Sequence, residues 1–403
     1  MRTISFVERL ELEFHGPWNL CQQAIALGDV DNDGSNELAV GTVSGHLLVY
    51  KGSEPKAWKS CRDLGTITCV AVGDICNSNT NTILVLSADG WCNVFHVSPQ
   101  GEEAFIDEEL RPIHRQHLSA NSKVLLMGDI DGDGKIEIAV GFSDRIVRTY
   151  RWYPYTNTKG GEIAFFNKWS LDAQIGSISL KPGEDNLCDL VASQPGGTFA
   201  ILKSNGEVIY DKQPSKSSQA RNDCVYTEMV GNVRTEDNRN YYALTTLDGT
   251  IMLMDYEGHK IYEIHVDHQL FGLTKLDITG DGVEEVIVCS WDGQTYIVNS
   301  KQQIAKFQFD EPTAAFIAGH YSVESKNEAC LIYVTSSGRI YIYHNIKLAH
   351  VQTVSLIEAL EGNEKVKQFM DNMARLGLDS TREGKKKLYQ WCLYGRKPRL
   401  CQE

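Results

Sequence analysis

The chain has 403 residues, 42 % hydrophobic and 23 % charged, which is the composition of a folded globular protein. A net charge of −14 excludes a general nucleic-acid binder, because phosphate would be repelled. No run approaches about 18 uninterrupted apolar residues, so no helix is expected to span a bilayer.

The first element is a strand. In MRTISFVERLELEF the apolar residues Ile4, Phe6 and Val7 and then Leu10, Leu12 and Phe14 stand against polar neighbours, and Glu8, Arg9, Glu11 and Glu13 break any signal-peptide core. The eleven cysteines form no CxxC pair, and Cys69, Cys289 and Cys330 sit inside apolar runs. That pattern predicts buried free thiols of a reducing, cytoplasmic protein, not a disulfide framework or a zinc site.

From Gly28 onward one pattern recurs. Residues 28 to 41 read GDVDNDGSNELAVG, 128 to 141 read GDIDGDGKIEIAVG, and 276 to 289 read LDITGDGVEEVIVC. Worn copies begin at 73, 180, 231 and 319. Each is followed by a tight-turn signal and a second apolar alternation: VSGHLLVY, ADGWCNVF, SDRIVRTY, PGGTFAIL, LDGTIMLM, WDGQTYIV and SSGRIYIY. Short strands with Asp-Gly or Ser-Gly turns, repeating every 43 to 55 residues or about that, are the signature of a β-propeller. The fold class expected is therefore all-β, a seven-bladed propeller over residues 1–344. The N-terminal strand is expected to close the last blade, which removes a free sheet edge. The polar segment 211–224 reads as an exposed loop between the fourth and fifth blades.

After residue 344 the period changes. Val351, Val354, Leu356, Ile357 and Leu360 share one helical face, as do Val366, Phe369, Met370 and Met373. Ser380 and Glu383 stand in capping-box spacing ahead of Leu388, Trp391 and Cys392. An amphipathic helical tail is expected over 345–403. From Gly377 on it carries seven Lys or Arg against three acids, so Tyr389, Trp391 and Leu393 lie beside a basic patch and are candidate partner-binding anchors.

The best-preserved turns have the oxygen spacing of a calcium loop. Asp29, Asp31 and Asp33 fall at positions 1, 3 and 5, the Ser35 carbonyl at 7 and Glu37 at 9, with Gly34 for the sharp turn. Asp129, Asp131, Asp133, the Lys135 carbonyl and Glu137 repeat the set, and Asp277, Thr279, Asp281 and Glu285 form a weaker one. Position 12 is Val40, inside a strand, so this is not an EF-hand. The expectation is a structural Ca²⁺ in these loops. The competing reading is an Asx-type turn that satisfies its own backbone N–H groups without an ion. The loops resemble the FG-GAP repeats of integrin α-chain propellers, which implies seven blades with a few loaded loops.

No HExxH, GxSxG or Walker A motif occurs. His265, Asp267 and His268 form the one tight polar cluster, in poor geometry for joint metal binding. An enzyme working at the central channel and a calcium-dependent interaction propeller remain as alternatives to a non-catalytic binding module. An adhesion ectodomain is disfavoured by the lack of a signal peptide.

The runs GDVDNDGSNELAVG, RIVRTYRW and above all residues 266 to 298 resemble the integrin-α FG-GAP repeat-containing protein 2 family. The resemblance runs along almost the whole chain, which is shorter than the family pattern between the third and fifth blades and in the tail. It implies a non-catalytic intracellular subunit of a KICSTOR assembly, beside a kaptin-like propeller, the seizure-threshold protein and a helical subunit. Such an assembly holds the GATOR complex at the lysosomal surface, so that TOR kinase signalling is restrained when amino acids are scarce.

Overall fold

The computed structural model describes residues 2–14, 19–97, 109–156, 160–182, 188–212, 227–237, 239–256 and 259–348, together with Lys386 and Leu393. Strand β1 (Arg2–Leu12) precedes the repeats. Blade 1 holds β2 (Ile25–Gly28), β3 (Glu37–Gly41), β4 (Leu47–Tyr50) and β5 (Lys59–Cys61). Blade 2 holds β6 (Ile67–Gly73), β7 (Thr82–Ser87), β8 (Trp91–Phe95) and β9 (Pro112–His117). Blade 3 holds β10 (Ser122–Gly128), β11 (Glu137–Phe142), β12 (Ile146–Pro154) and β13 (Gly161–Ser170). Blade 4 holds β14 (Ile178–Pro182), β15 (Cys188–Gln194), β16 (Thr198–Leu202) and β17 (Val208–Lys212). Blade 5 holds β18 (Thr227–Arg234), β19 (Asn240–Thr246), β20 (Thr250–Asp255) and β21 (Lys260–His265). Blade 6 holds β22 (Leu270–Leu276), β23 (Glu285–Ser290), β24 (Gln294–Val298) and β25 (Ile304–Gln308). Blade 7 holds β26 (Thr313–Ser322), β27 (Asn327–Thr335) and β28 (Ile340–Leu348), and β1 is its fourth strand.

Within each blade the strands pair antiparallel in chain order. The first strands touch one another around the ring, and β26 meets β2 to close it. The result is a seven-bladed, all-β propeller. β1 completes blade 7 as expected, with Leu12 opposite Ile340 and Ile4 opposite Leu348. Its first residues also cross to the neighbouring blade, where Arg2 and Thr3 pair parallel with Ala305 and Lys306 of β25. That bridge fuses blades 6 and 7 into one eight-stranded sheet.

Apolar residues pack between blades, because a four-stranded blade has two faces and each must be covered. Leu47, Val49, Ile67, Ile83 and Phe95 form the core shared by blades 1 and 2, and Tyr50, Tyr321, Ile332 and Ile342 that between blades 7 and 1. The first glycine of the repeat exists for this approach. A Cβ at Gly28 would lie 2.8 Å from a Val72 methyl, and one at Gly128 would lie 2.5 Å from a Leu180 methyl. Both contacts are with the next blade, so a larger residue at either position would need its neighbour to shift, whereas blade 6 places Leu276 at the same point of the repeat.

The second hairpins share one turn. The hydroxyls of Thr42, Ser87 and Thr335 accept the N–H four residues on at 2.9, 3.1 and 2.9 Å, with Gly45, Gly90 and Gly338 left-handed between them.

Two expectations change. β28 runs to Leu348, past residue 344, because β1 offers it a partner that far. Asp211 and Lys212, read as the start of a loop, belong to β17 and pair with Phe199 and Thr198; the rest of that loop lies outside the described residues. The helical tail and its anchors Tyr389 and Trp391 also lie outside them, while Lys386 and Leu393 are helical and exposed. No helix among the described residues is long and apolar enough to cross a membrane. The cysteines among these residues are free. Burial pushes the Cys69, Cys289 and Cys330 thiols up to about 12.

Candidate functional site

The calcium-like loops join the first and second strands of their blades, so all lie toward one end of the propeller axis. Position 1 is committed to the backbone. Asp29 accepts the N–H groups of Asp33 and Gly34 at 3.0 and 2.9 Å, and Asp129 those of Gly132 and Gly134 at 2.7 and 2.9 Å. Asp277 does the same for Gly280 and Gly282, and Asp74 for Ser78 and Asn79 in the worn second copy. The turn therefore forms whether or not other ligand positions survive, which is what the Asx reading requires. Ser35 and Lys135, expected as carbonyl ligands, donate their N–H groups to Asp33 and Asp133 at 2.8 Å each. Position 9 is also tied down: Glu37, Glu137 and Glu285 accept the N–H of Val30, Ile130 and Ile278 at 2.8, 2.7 and 3.0 Å.

What remains points inward. Carboxylate oxygens of Asp29, Asp31 and Asp33 come within 4.8 Å of one another, as do those of Asp129, Asp131 and Glu137. Oxygen anions so gathered suit a hard cation. In both loops, however, the centre is held by a basic side chain. Lys51 Nζ lies 2.5 Å from Asp31, 2.6 Å from Asp33 and 3.2 Å from Glu37. Arg151 reaches Asp131 at 2.6 Å and Asp133 at 3.0 Å, and its Nε and Nη2 both donate to Glu137. Ca²⁺ binds carboxylates at about 2.3–2.6 Å, so an ion on these oxygens would press against the ammonium or guanidinium. The donor atoms fit calcium; the space at their centre does not.

Register explains how the bases arrive. Leu38 pairs with Tyr50, which sets Lys51 opposite Glu37, and Glu137 pairs directly with Arg151. An aromatic ring backs each base, Trp58 at 5.0 Å from Lys51 and Phe166 at 5.2 Å from Arg151. Blade 4 has lost the loop ligands but keeps the pair, with Lys203 Nζ 2.6 Å from Asp189. In blade 6 the residue opposite Glu285 is Asn299, whose side chain accepts from the N–H of Gln303 at 2.8 Å. Thr279, the weak ligand of that loop, is exposed.

Electrostatics follow. Burial first, and then the Asp31 charge, raise Glu37 to about 7 against the pull of Val30 N–H and Lys51. Burial also raises Glu137, opposed by Ile130 N–H and Arg151. Burial together with Asp281 and Asp277 raises Glu285 to about 7, with no base to oppose it. Burial works to raise Asp33 too, but hydrogen bonds from Lys51 and Ser35 hold it below the usual carboxylate range. Sequence reasoning missed Lys51, Arg151 and Lys203. The available signal was an acid at the end of one strand with a base fourteen residues on.

The loops also lace blade to blade. Asn32 exchanges hydrogen bonds with Asn81 at 2.6 and 3.3 Å, and Asn77 does so with Ile136 at the same two distances. Asn327 reaches Asn36 and Gly34 at 2.8 and 2.9 Å across the blade 7 to blade 1 seam. The His265, Asp267 and His268 cluster does not converge. His268 turns to Asp292 at 2.8 Å, and Asp292 also accepts from Ser290 at 2.5 Å, a hairpin-turn contact.

Residues 51–213 and 204–348 match the profile of the family described as Integrin-alpha FG-GAP repeat-containing protein 2. The chain is 39 % identical over 409 residues to the Mus musculus KICSTOR complex protein ITFG2, covering 93 % of this chain and 92 % of that protein. This chain belongs to that family. The Bos taurus KICSTOR complex protein ITFG2 is also 39 % identical, across 90 % of this chain and 74 % of its own length. Among solved structures, BBS1N from its complex with ARL6DN superposes with a TM-score of 0.62 at 14 % identity, covering 88 % of this chain and all (100 %) of that one. Chaetomium thermophilum Raptor gives 0.58 at 12 % identity, over 85 % of this chain and 29 % of that one. At such identities the likeness shows the fold alone.

Proposed function

We propose that this chain is a non-catalytic scaffold subunit of a KICSTOR-like complex. In this reading it stands beside a kaptin-like propeller, a seizure-threshold protein and a helical subunit. The assembly recruits the GATOR Rag-GTPase-activating complex to the lysosomal surface and so restrains TOR kinase signalling when amino acids are scarce. The observation that carries the reading is 39 % identity along 93 % of the chain to a protein named for the KICSTOR complex. The geometry is compatible with it. The candidate loop carboxylates are engaged by backbone N–H groups and basic side chains, which leaves them the work of fastening blades, not of turning over a substrate. Affinity then comes from the propeller rims and the tail, where Leu393 is exposed and Tyr389 and Trp391 are the companion anchors.

The test is co-purification of the tagged full chain with a kaptin-like subunit, against the same chain cut after residue 349. The cut leaves β28 intact. Recovery of the pair from the full chain and its loss on truncation are expected. Recovery from both confines the contact to the propeller, and recovery from neither overturns the scaffold reading.

A further inference from the structure

The loops of blades 1 and 3 have the spacing of a cation site and carry their own cation. We propose that Lys51 and Arg151 permanently occupy the positions a calcium ion would take, so that the propeller is fastened independently of calcium. Three observations carry this. Each base contacts the carboxylates at positions 3, 5 and 9 together, three of the five positions whose oxygens the ion would need, while position 1 stays on the backbone. Each base is delivered by strand register, not by chance reach of a surface side chain, and is backed by an aromatic ring on its own blade. Blade 4 keeps the acid and base, Asp189 and Lys203, where the ion-binding spacing is gone. Blades 2 and 5 place Thr82 and Asn240 at the acid position, and the residues opposite are His96 and Tyr256. Blades 1, 3 and 4 thus set a Lys or Arg against a buried acid at this register, blades 2 and 5 have neither, and blade 6 sets Asn299 against its buried Glu285.

The exchange is chemically even-handed. A Ca²⁺ gathers several anionic oxygens at one point and loses affinity when a ligand is missing or the cytosolic concentration is low. An ammonium or guanidinium gathers the same oxygens through charge-assisted hydrogen bonds and cannot diffuse away. The cost is a smaller charge: Lys51 faces three carboxylates alone, and Asp31 Oδ1 and Glu37 Oε1 are buried without a hydrogen bond among the described residues.

Removal of the base should therefore open a metal site that the natural chain lacks. Terbium(III) is the direct probe, since the Trp58 ring lies 5.0 Å from Lys51 Nζ and would sensitise an ion bound there. The full chain and its Lys51→Met and Arg151→Met variants are titrated with terbium and melted in calcium and in EGTA, all with Asp281→Ala to silence the blade 6 loop. Without further change, no Trp58-sensitised emission and equal Tm in calcium and EGTA are expected. Lys51→Met should gain saturable terbium emission that calcium competes away. Both variants should gain about 3–5 °C in Tm at calcium one hundredfold above Kd. Absence of any metal response in folded variants overturns the proposal. The unsubstituted arm suffices if the variants do not fold: terbium emission competed by calcium and lost in Trp58→Phe, or a calcium-dependent Tm lost in Asp131→Ala, also overturns it.

Discussion

In blade 3 the buried Glu137 faces Arg151, and in blade 6 the buried Glu285 faces Asn299. The two loops are otherwise near copies, DIDGDGKIE against DITGDGVEE. Both fold around a first aspartate that caps the N–H groups of two loop glycines, and both anchor the glutamate on the N–H of an isoleucine. The loop conformation thus comes from backbone hydrogen bonding and is indifferent to how its charge is balanced. Charge balance comes from another strand. Where β12 supplies a guanidinium, three carboxylates gather on it. Where β24 is followed by an asparagine that closes its own turn, the glutamate is left with like charges as neighbours.

The sharpest way to break this comparison is Arg151→Met, which makes blade 3 resemble blade 6. Glu137 is fully buried, and removing one partner of a buried pair leaves an uncompensated charge. A loss of about 3–5 kcal/mol is expected from denaturant unfolding in EGTA. An unchanged midpoint would mean that Ile130 N–H alone satisfies Glu137, and the guanidinium would then be incidental.

Blade 6 predicts a pH effect of intermediate size. Glu285 titrates at about 7 in the fold against an ordinary 4.5. Below the ordinary value both folded and unfolded chains hold the proton. As pH rises from there toward 7 the unfolded chain releases it first, so stability falls and the loss is complete above 7. In EGTA, Glu285→Gln should match the natural chain at pH 4.5 and exceed it at pH 8 by about 1–3 kcal/mol. Parallel pH profiles for the two proteins would show that blade 6 has a compensating charge after all.

Much of this was legible in the sequence because Gly and Asp mark the turns in phase. GDxDxDG in blades 1 and 3 and xDG in blades 2, 5 and 6 fix the phase into which the worn copies fall, and the pattern from Ile4 to Phe14 shows the strand that closes the ring. The outer strands were not legible. β9, PIHRQH, is polar and largely exposed, and β5 has three residues, so neither has a periodicity to detect. The bases were visible as residues but not as partners. Lys51 and Arg151 matter only once register sets them opposite Glu37 and Glu137, and register is a property of paired strands. The same reason hid the last residues of β28, which are strand only because β1 lies alongside.

A smaller substitution separates fastening from charge. Asn77 of blade 2 holds the blade 3 loop through Ile136 N–H and C=O, and it does so from a left-handed backbone, φ 53°. Asn77→Gly keeps that backbone and removes both hydrogen bonds, for an expected loss of about 1 kcal/mol. Asn77→Ala removes the same bonds and adds the left-handed penalty, for about 2 kcal/mol in all. Neither touches Glu137, Arg151 or their aspartates, so the extra cost of Arg151→Met should be the same in either background, as for sites that do not share partners. If Asn77→Gly instead erased most of that cost, the carboxylates of blade 3 would be held in place by the neighbouring blade and not by the guanidinium at their centre. The contrast with blade 6 would then lie in the lacing between blades, where Glu284 N–H meets the Arg234 carbonyl at 3.0 Å, and not in the missing base.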